Sequence, residues 1–228
     1  MNAPDQTVID APAPWRLRGC GYVSLLRCPQ SLLDAQSFVP PALAGRRVAS
    51  PYALMMFVDY AESPVGPYHE LLFIPGRFVF GDGRRHLSIS RIFVSTMDSV
   101  VNGRRNWGIP KDVAEFDVRY SKGGLDRVTV KRDGSVFAEL AYRSWPLSAP
   151  VHTALLPDAW HTLAQCDGER SYVYRPTARG WTRPARLVEA RFDAQQFPDA
   201  ARGKALATVK LTHFDMCFPQ SRVLTQTP

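Results

Sequence analysis

The sequence predicts a mainly β protein with a few short helices, of the α+β class, folded as one closed antiparallel β-barrel. Short runs rich in Val, Ile, Leu, Phe and Tyr recur along the chain, and turns containing Pro and Gly separate them, which is typical of strands. The sequence shows no regular alternation of strands and long helices, and this argues against a parallel α/β sheet. The chain has 228 residues, of which 45% are apolar, and this suffices for one large core or two small ones without a metal or a disulfide.

The first half of the chain is predicted to be a sheet with two helical interruptions. The strands are residues 15–28, 52–60, 68–75, 77–80 and 86–95. A short helix is predicted over residues 31–37. A longer one is predicted over residues 97–107, with Asp98 or Ser99 as its N-cap and Gly108 as its end.

The second half is predicted to be a meander. Its strands are residues 113–120, 125–132 and 136–143, and Asp133-Gly134 is a typical two-residue hairpin turn. Residues 144–168 have weaker periodicity, and a short helix is predicted over 158–164. Strands resume at 171–175, 181–192 and 204–214. We therefore expect one domain over residues 1–228, with flexible tails at 1–14 and 219–228.

Charge and targeting signals narrow the partners and the compartment. The formal charge is +7, but the arginines are scattered and form no basic stripe, so we expect no nucleic-acid partner. No stretch approaches the ~20 apolar residues of a membrane helix, so we expect no membrane partner. The first residues lack the apolar run of a signal peptide, and the four cysteines contain no Cys-x-x-Cys pair. We therefore expect a cytoplasmic protein with reduced thiols.

The common cofactor and metal motifs are absent from the sequence. There is no Gly-x-Gly-x-x-Gly, no P-loop, no His-Glu-x-x-His and no Gly-x-Ser-x-Gly, so we expect no cofactor and no metal. His213, Asp215 and Cys217 alternate near the end of a predicted strand, which is a weak signal for a metal site. An ordinary strand end explains their alternation better.

Lys111 is the residue whose position best suits it to act as a nucleophile. Gly108 ends the predicted helix, and Pro110 fixes the backbone so that Lys111 begins a new strand. Burial among Trp107 and its apolar neighbours would disfavour the ammonium form, and a free amine attacks carbonyl groups. From the residues alone, a solvated lysine paired with Asp112 or Glu115 is the commoner arrangement.

Residues 101–116 contain an ordered motif. Gly103-Arg104 is followed by Arg105-Asn106-Trp107-Gly108-Ile109 and then by Pro110-Lys111. This motif resembles the signature of the acetoacetate decarboxylase family. Upstream, Gly66-Pro67-Tyr68-His69-Glu70 resembles the Tyr-x-Glu of that family. The opening Trp15-Arg16-Leu17-Arg18-Gly19 resembles it more loosely.

The resemblance implies a closed double-cone barrel, a homo-oligomer and a small oxo acid as the partner. In that family, the lysine at the position of Lys111 forms a Schiff base with a β-keto acid. Glu70 matches a glutamate that transfers a proton or positions the substrate, although it is alternatively a strand-end carboxylate paired with an arginine. Arg16 or Arg18 would hold the substrate carboxylate. The remaining candidates for substrate binding are Tyr68 and Trp107.

Two departures bear on the reaction. Asp112 stands where the decarboxylase has a second lysine, although neighbours in a strand point to opposite faces, which would place Asp112 away from the amine. Counting 15 residues back from Glu70, where the family has a further carboxylate, leads to Met55 and suggests a pocket for longer acyl chains. We favour a lyase that decarboxylates a 3-oxo acid. The alternatives are an imine-dependent aldolase or dehydratase, and a non-catalytic small-molecule-binding barrel.

Overall fold

The computed structural model describes residues 8–35 and 38–225, and it confirms a mainly β fold with few helices. The α-helices are α1 (Gln30–Ala35) and α2 (Met97–Trp107). The strands are β1 (Trp15–Arg27), β2 (Tyr52–Glu62), β3 (Tyr68–Ile74), β4 (Arg77–Val79), β5 (Arg85–Leu87), β6 (Arg91–Val94), β7 (Lys111–Val113), β8 (Glu115–Arg119), β9 (Asp126–Arg132), β10 (Ser135–Ser144), β11 (Ala149–His152), β12 (Leu163–Asp167), β13 (Arg170–Tyr174), β14 (Thr177–Phe192), β15 (Lys204–Phe218) and β16 (Arg222–Thr225).

The larger sheet has eleven strands and is an open half-barrel. Its order is β7-β6-β3-β2-β1-β15-β14-β10-β9-β8, and β11 adds to β14. The edge strands β7 and β8 are separated in the chain by Ala114 alone, whose N–H donates to the Val94 carbonyl at 2.9 Å. β7 and β8 follow each other in the chain but lie at opposite ends of the strand order and do not pair. The sheet therefore keeps two edges, and the predicted closed barrel is corrected to an open half-barrel.

The sheet is also not purely antiparallel. Between β6 and β7 the chain makes a crossover through α2, and the two strands pair in parallel, with Ile92 opposite Lys111. A helical crossover returns the chain to the same end of the sheet, which is the geometry that parallel pairing requires. Lys111 therefore lies on a short edge strand that α2 accompanies.

A second sheet has the order β16-β13-β12-β5-β4. The helix predicted over residues 158–164 is instead a single 3-10 turn, Asp158–Trp160, followed by β12. β12 forms a hairpin with β13, in which Asp167 pairs with Arg170 and Gly168 has a φ of 58°. The strand periodicity of β12 is hidden in the sequence because only five residues carry it.

Both predicted tails contain ordered contacts. The C-terminal β16 pairs with β13, and the buried Ala11 accepts a hydrogen bond from Trp15 Nε1 at 2.9 Å. The remaining tail residues, 1–7 and 226–228, lie outside the described residues, as do the last two of the predicted helix 31–37. No helix in the described part of the chain is long and apolar enough to span a bilayer.

The two faces of the larger sheet carry separate cores, because strand side chains alternate between faces. We call the first core the cluster that contains Met55, Phe57 and Phe73, and the second core the cluster that contains Tyr60 and Tyr68. The second core also holds side chains of α2 and of the small sheet, namely Val100, Trp107 and Tyr174. Lys111 lies beside this second core.

A buried carboxylate ties the first core to the centre of the larger sheet. Asp126 accepts hydrogen bonds from Tyr22 Oη and Lys210 Nζ, both at 2.5 Å, and from the Ser121 N–H at 2.9 Å. Burial opposes the charged form of this carboxylate, but the three hydrogen bonds outweigh it and lower the pKa of Asp126. The charged Asp126 therefore stabilises the fold.

We expect Asp126→Asn to lower the free energy of unfolding at neutral pH by about 1–3 kcal/mol, because Lys210 loses its charged partner. A lowered folded-state pKa adds stability that is complete above the unfolded pKa of about 3.9 and is lost as the pH falls through the folded pKa. Urea unfolding across this pH range should therefore show the two proteins converging in acid. Asp117→Asn, which removes an exposed partner of Arg119, is the control. A difference that persists unchanged in acid would contradict this account.

Candidate active site

Helix α2 ends four residues before Lys111, and its two ends are fixed by capping residues. Its N-cap is Thr96, whose side chain accepts a hydrogen bond from the Ser99 N–H at 3.3 Å, rather than the predicted Asp98 or Ser99. Its C-cap is Gly108, as predicted, with a left-handed φ of 62° that favours glycine. The Lys111 N–H then donates to the Ile109 carbonyl at 2.8 Å, so the strand starts tightly against the helix end.

Gly103 provides the surface on which the lysine side chain lies. A Cβ added at this position would lie 2.6 Å from Lys111 Cδ and 2.8 Å from Cε. These distances are too short for carbon atoms in contact, so any other residue would displace the lysine. The glycine of the Gly-Arg motif therefore has a direct steric role.

The amine of Lys111 is buried and has two polar partners. The residue is 3% exposed, and Nζ donates to Glu70 Oε2 at 3.1 Å and to Ser99 Oγ at 3.0 Å. The ring of Tyr68 lies 5.2 Å from Nζ, within the range of a cation–π contact. The structure thus shows a buried lysine, and not the solvated lysine paired with Asp112 or Glu115 that was the alternative.

Glu70 is the acidic partner of this amine, and it comes from β3. It is 5% exposed, and its second oxygen, Oε1, accepts from Tyr60 Oη at 3.4 Å. The rings of Tyr60 and Tyr68 lie 4.6 Å apart. Burial raises the pKa of both tyrosines well above the ordinary value, and the charge of Glu70 raises it further, so both hydroxyls remain protonated.

The carboxylate of Asp112 is engaged elsewhere. It lies 2.6 Å from Arg91 Nη1 and 2.9 Å from Arg104 Nη2. Arg104 also donates to the Lys111 carbonyl, from Nη2 at 2.6 Å and from Nε at 2.9 Å. Asp112 is thus part of an arginine cluster that holds the backbone of β7.

The other predicted substrate-binding residues lie outside the hydrogen-bonded group around Lys111. Trp107 is buried in the second core, and its Nε1 donates to the Pro219 carbonyl at 2.7 Å. Arg18 is exposed and pairs with Glu62 at 3.4 Å. Arg16 lines a small surface cleft.

Met55 lies on the opposite face of β2 from the amine. It pairs with Phe73 in the first core, whereas Glu70 pairs with Val58, on the side of the second core. Pairing therefore places the even-numbered residues of β2 on the face of Glu70. The methionine on that face is Met56, and the count back from Glu70 leads to the wrong face.

Two polar partners of the site are missing from the sequence-based candidates. The sequence predicts Ser99 only as a helix cap and Tyr60 only as the last residue of a strand. The spacing of Ser99 and Gly103, four residues apart on α2, is the signal that places both on one helix face. No comparable signal identifies Tyr60, because its contact with Glu70 depends on the pairing of β2 and β3.

The alternating trio on β15 does not form a metal site. Asp215 lies 3.6 Å from Arg179 Nη2 and 3.9 Å from Arg18 Nη2, while His213 lies at a β-bulge with a φ of 48°. Within the described ranges, no group of three or more His, Cys, Asp or Glu side chains is arranged to hold a metal ion.

Comparisons with known proteins agree with the fold and the motifs. The family described as acetoacetate decarboxylase (ADC) matches residues 33–216. No curated protein matches the chain. The solved structures that resemble it include an acetoacetate decarboxylase from Legionella pneumophila, with 15% identity, a TM-score of 0.67, and coverage of 99% of this chain and 92% of that one.

Two further structures extend the range of similar proteins. An acetoacetate decarboxylase-like enzyme from Sphingomonas wittichii has 14% identity and a TM-score of 0.67, with coverage of 97% and 96% of the two chains. The enduracididine biosynthesis enzyme MppR, complexed with pyruvate, has 15% identity and a TM-score of 0.63, with coverage of 97% and 94%. With the family match over most of its length, the chain belongs to the acetoacetate decarboxylase family.

Proposed function

We propose that this protein is an enzyme that forms a Schiff base between Lys111 and a small oxo acid. The observation that carries the proposal is the buried contact of 3.1 Å between Lys111 Nζ and Glu70 Oε2. Moving one proton along this contact gives a neutral amine and a neutral acid, both of which a low-dielectric site tolerates better than separate charges. A neutral amine attacks a carbonyl carbon, and the acid then supplies a proton.

The reaction that we favour is decarboxylation of a 3-oxo acid. Attack of Nζ on the 3-oxo carbon forms the C–N bond, and loss of water leaves a protonated imine. The electron pair of the breaking C–C bond moves toward this imine, carbon dioxide leaves, and an enamine forms. Protonation of the enamine carbon and hydrolysis then release the ketone and regenerate the Lys111 amine.

An aldol or dehydration reaction through the same imine is the second candidate. It is favoured by the likeness to MppR, one structure of which holds the condensation product of pyruvate and imidazole 4-carboxaldehyde. An imine activates the adjacent carbon whichever group leaves next, so the lysine and the glutamate serve both reactions. Release of carbon dioxide from a 3-oxo acid distinguishes the two candidates.

We propose that substrates approach from the cleft that contains Arg18. This cleft has a volume of about 810 Å³, and Phe214 is among its lining residues. The Phe214 ring packs edge-on against Tyr60, with 5.9 Å between centroids, and Tyr60 donates to Glu70. The Lys111 side chain is only 4% exposed, so these aromatic side chains must move for a substrate to reach it. In this proposal Arg18, which lines the cleft and pairs with Glu62, binds a substrate carboxylate at the entrance in exchange for that partner.

Reduction with borohydride in the presence of acetoacetate or pyruvate should attach the oxo acid to Lys111. Peptide mass mapping should locate the adduct, and Lys111→Ala should lose it. Lys122→Ala, which changes an exposed lysine, should label as fully as the unaltered protein. Labelling that survives in Lys111→Ala would contradict the proposal, and complete absence of labelling would favour a non-catalytic binding barrel.

Gly103→Ala should reduce the rate of imine trapping by at least about 100-fold, because the added methyl group displaces Lys111 from Glu70 and Ser99. The matched control is Val101→Ala, which removes two methyl groups from an exposed position of the same helix. Circular dichroism and thermal unfolding should show that both variants are folded. Normal trapping by a folded Gly103→Ala protein would show that the lysine does not need this surface.

Asp112→Lys should not accelerate trapping, although it recreates the pair of lysines found in the decarboxylase. The new cation would face Arg91 and Arg104 instead of the Lys111 amine, and we expect it to cost about 1–3 kcal/mol of stability. Asp112→Asn keeps one carbonyl acceptor, for one of the two arginines, and adds no cation, so it should cost less. The measurements are urea unfolding and the trapping rate, and faster trapping by Asp112→Lys would contradict the observed orientation.

A further inference from the structure

A second cleft opens onto the core beside which the Lys111 amine lies. It has a volume of about 550 Å³, and its walls come from the larger sheet, the small sheet and the 3-10 turn that ends at Trp160. Ile74 belongs to the second core, and Leu54 and Leu87 pack against that core from the two sheets. We call this opening the Trp160 cleft. The cleft and the amine therefore border the same core.

An apolar strip along β2 leads from the Trp160 cleft toward Glu70. The strip consists of Leu54, Met56 and Val58, which pack against the second core and are half-buried. The side chains of the first core that alternate with them are fully buried. Leu54 lines the cleft, and Val58, at the other end of the strip, pairs directly with Glu70. Accessible apolar surface thus extends from the cleft to the strand position beside the carboxylate.

The length of the strip sets the length of a molecule that follows it. Ile74 lies four residues beyond Glu70 on the same face of β3, which corresponds to about 13 Å along the strand. Each carbon of an extended chain adds roughly 1.3 Å, because consecutive bonds of about 1.5 Å follow a zigzag. A chain of about ten carbons beyond the reacting carbonyl group therefore reaches from the Lys111 amine to the cleft.

The walls of the Trp160 cleft suit an uncharged chain. Arg77 is the one charged side chain that the described part of the molecule contributes to it, and Arg77 Nη2 donates to the Ala159 carbonyl at 3.1 Å. This guanidinium is thus bound to the backbone of the turn. Leu25, Tyr52 and Trp160 also line the cleft and are exposed. Exposed apolar side chains that meet in one cleft gain free energy when an apolar ligand covers them.

We propose that the substrate of Lys111 is a 3-oxo acid with a long aliphatic chain, and that the end of this chain lies in the Trp160 cleft. The chain runs from the reacting carbonyl carbon along the apolar strip. It passes Met56, whose unbranched side chain adapts readily to a neighbour. Each methylene group that leaves water for the strip or the cleft favours the complex. This inference rests on the proposed function and names the substrate class of the same site.

The two clefts lie at opposite ends of β2. Glu62 lines the cleft that contains Arg18, and Leu54 lines the Trp160 cleft, each of them four residues from Val58. Val58, which pairs with the acidic partner of the lysine, therefore lies midway along the strand. An acid that enters chain-first beside Arg18 brings its carbonyl group to the lysine when the end of the chain reaches the far cleft.

The first test compares borohydride trapping of acetoacetate, 3-oxohexanoate and 3-oxododecanoate on Lys111, each at a concentration well below saturation. Burial of one methylene group favours binding by up to about fourfold. Trapping of 3-oxododecanoate should therefore be at least about 100-fold more efficient than trapping of acetoacetate. The chain of 3-oxohexanoate ends short of the cleft, so its efficiency should be intermediate. Equal trapping of the three acids would overturn the proposal.

The second test changes the cleft itself and follows the ratio of trapping efficiencies for 3-oxododecanoate and acetoacetate. Trp160→Ala removes an exposed wall, and Leu54→Trp fills the space that the chain end would occupy. Each variant should lower the ratio by about tenfold. Trp145→Ala and Leu206→Trp make the same exchanges at exposed positions outside the cleft and should leave the ratio unchanged.

The outcomes separate this inference from the Schiff-base function. A Lys111 adduct whose ratio is unchanged in both cleft variants would overturn the chain site and leave the Schiff-base function standing. Sedimentation that differs between Trp160→Ala and the unaltered protein, with an unchanged ratio, would show that a second copy of the chain covers the cleft, which also overturns the proposal. If none of the three acids forms an adduct with the unaltered protein, both proposals fail.

Discussion

The contact between Lys111 and Glu70 takes two opposite charges out of water together, and the surrounding structure has to compensate for it. Removing an ion from water costs several kcal/mol even in a relaxed protein, and the cost is recovered only with good geometry and further hydrogen bonds. Ser99 and Tyr60 supply those hydrogen bonds, one to each partner of the pair. Four elements, β2, β3, α2 and β7, must therefore hold fixed relative positions for the pair to persist.

Several contacts fix the backbone around the pair and so keep these elements in position. Gly108 turns the chain out of α2, and parallel pairing with Ile92 fixes where β7 begins. Gly103 lets the lysine side chain approach the helix closely, and Arg104 donates two hydrogen bonds to the Lys111 carbonyl. The residues of the Gly-Arg to Pro-Lys motif thus have mechanical roles that are separate from the chemistry of the amine.

The parts of the fold that depend on local periodicity were predictable. Helix α2 has the predicted bounds, and Asp133-Gly134 joins β9 to β10 as expected. The open edge of the sheet was not predictable, because it depends on how β7 and β8 diverge at a single residue, Ala114, and not on the composition of either strand. β12 was missed because a five-residue strand carries too few periods to be distinguished from a helix start.

The residues of the candidate site also differ in whether a local sequence pattern identifies them. Lys111 and Glu70 each lie in a recognisable motif, whereas Tyr60 reaches the site only through the register of β2 against β3. Counting back from Glu70 leads to Met55, which lies on the other face of the sheet. A count of residues fails here because strand pairing decides the face on which each side chain lies. The orientation of Asp112 follows from strand alternation, but two of its arginine partners, Arg91 and Arg132, come from other strands that no local pattern connects to it.

The side chains that bond to the Lys111 amine or to its partner Glu70 come from one continuous stretch of chain, residues 60–111, whereas the centre of the larger sheet joins β1 near one end of the chain to β15 near the other. Loop-closure entropy grows with the length of chain that a contact encloses, and contacts between distant segments slow folding more than local ones do. The β1–β15 pairing therefore bears a larger closure cost than the contacts between β2, β3, α2 and β7. During synthesis, the segment that contains Lys111 leaves the ribosome well before β15 exists, so the β1–β15 contacts that complete the centre of the sheet become available only after those around the lysine.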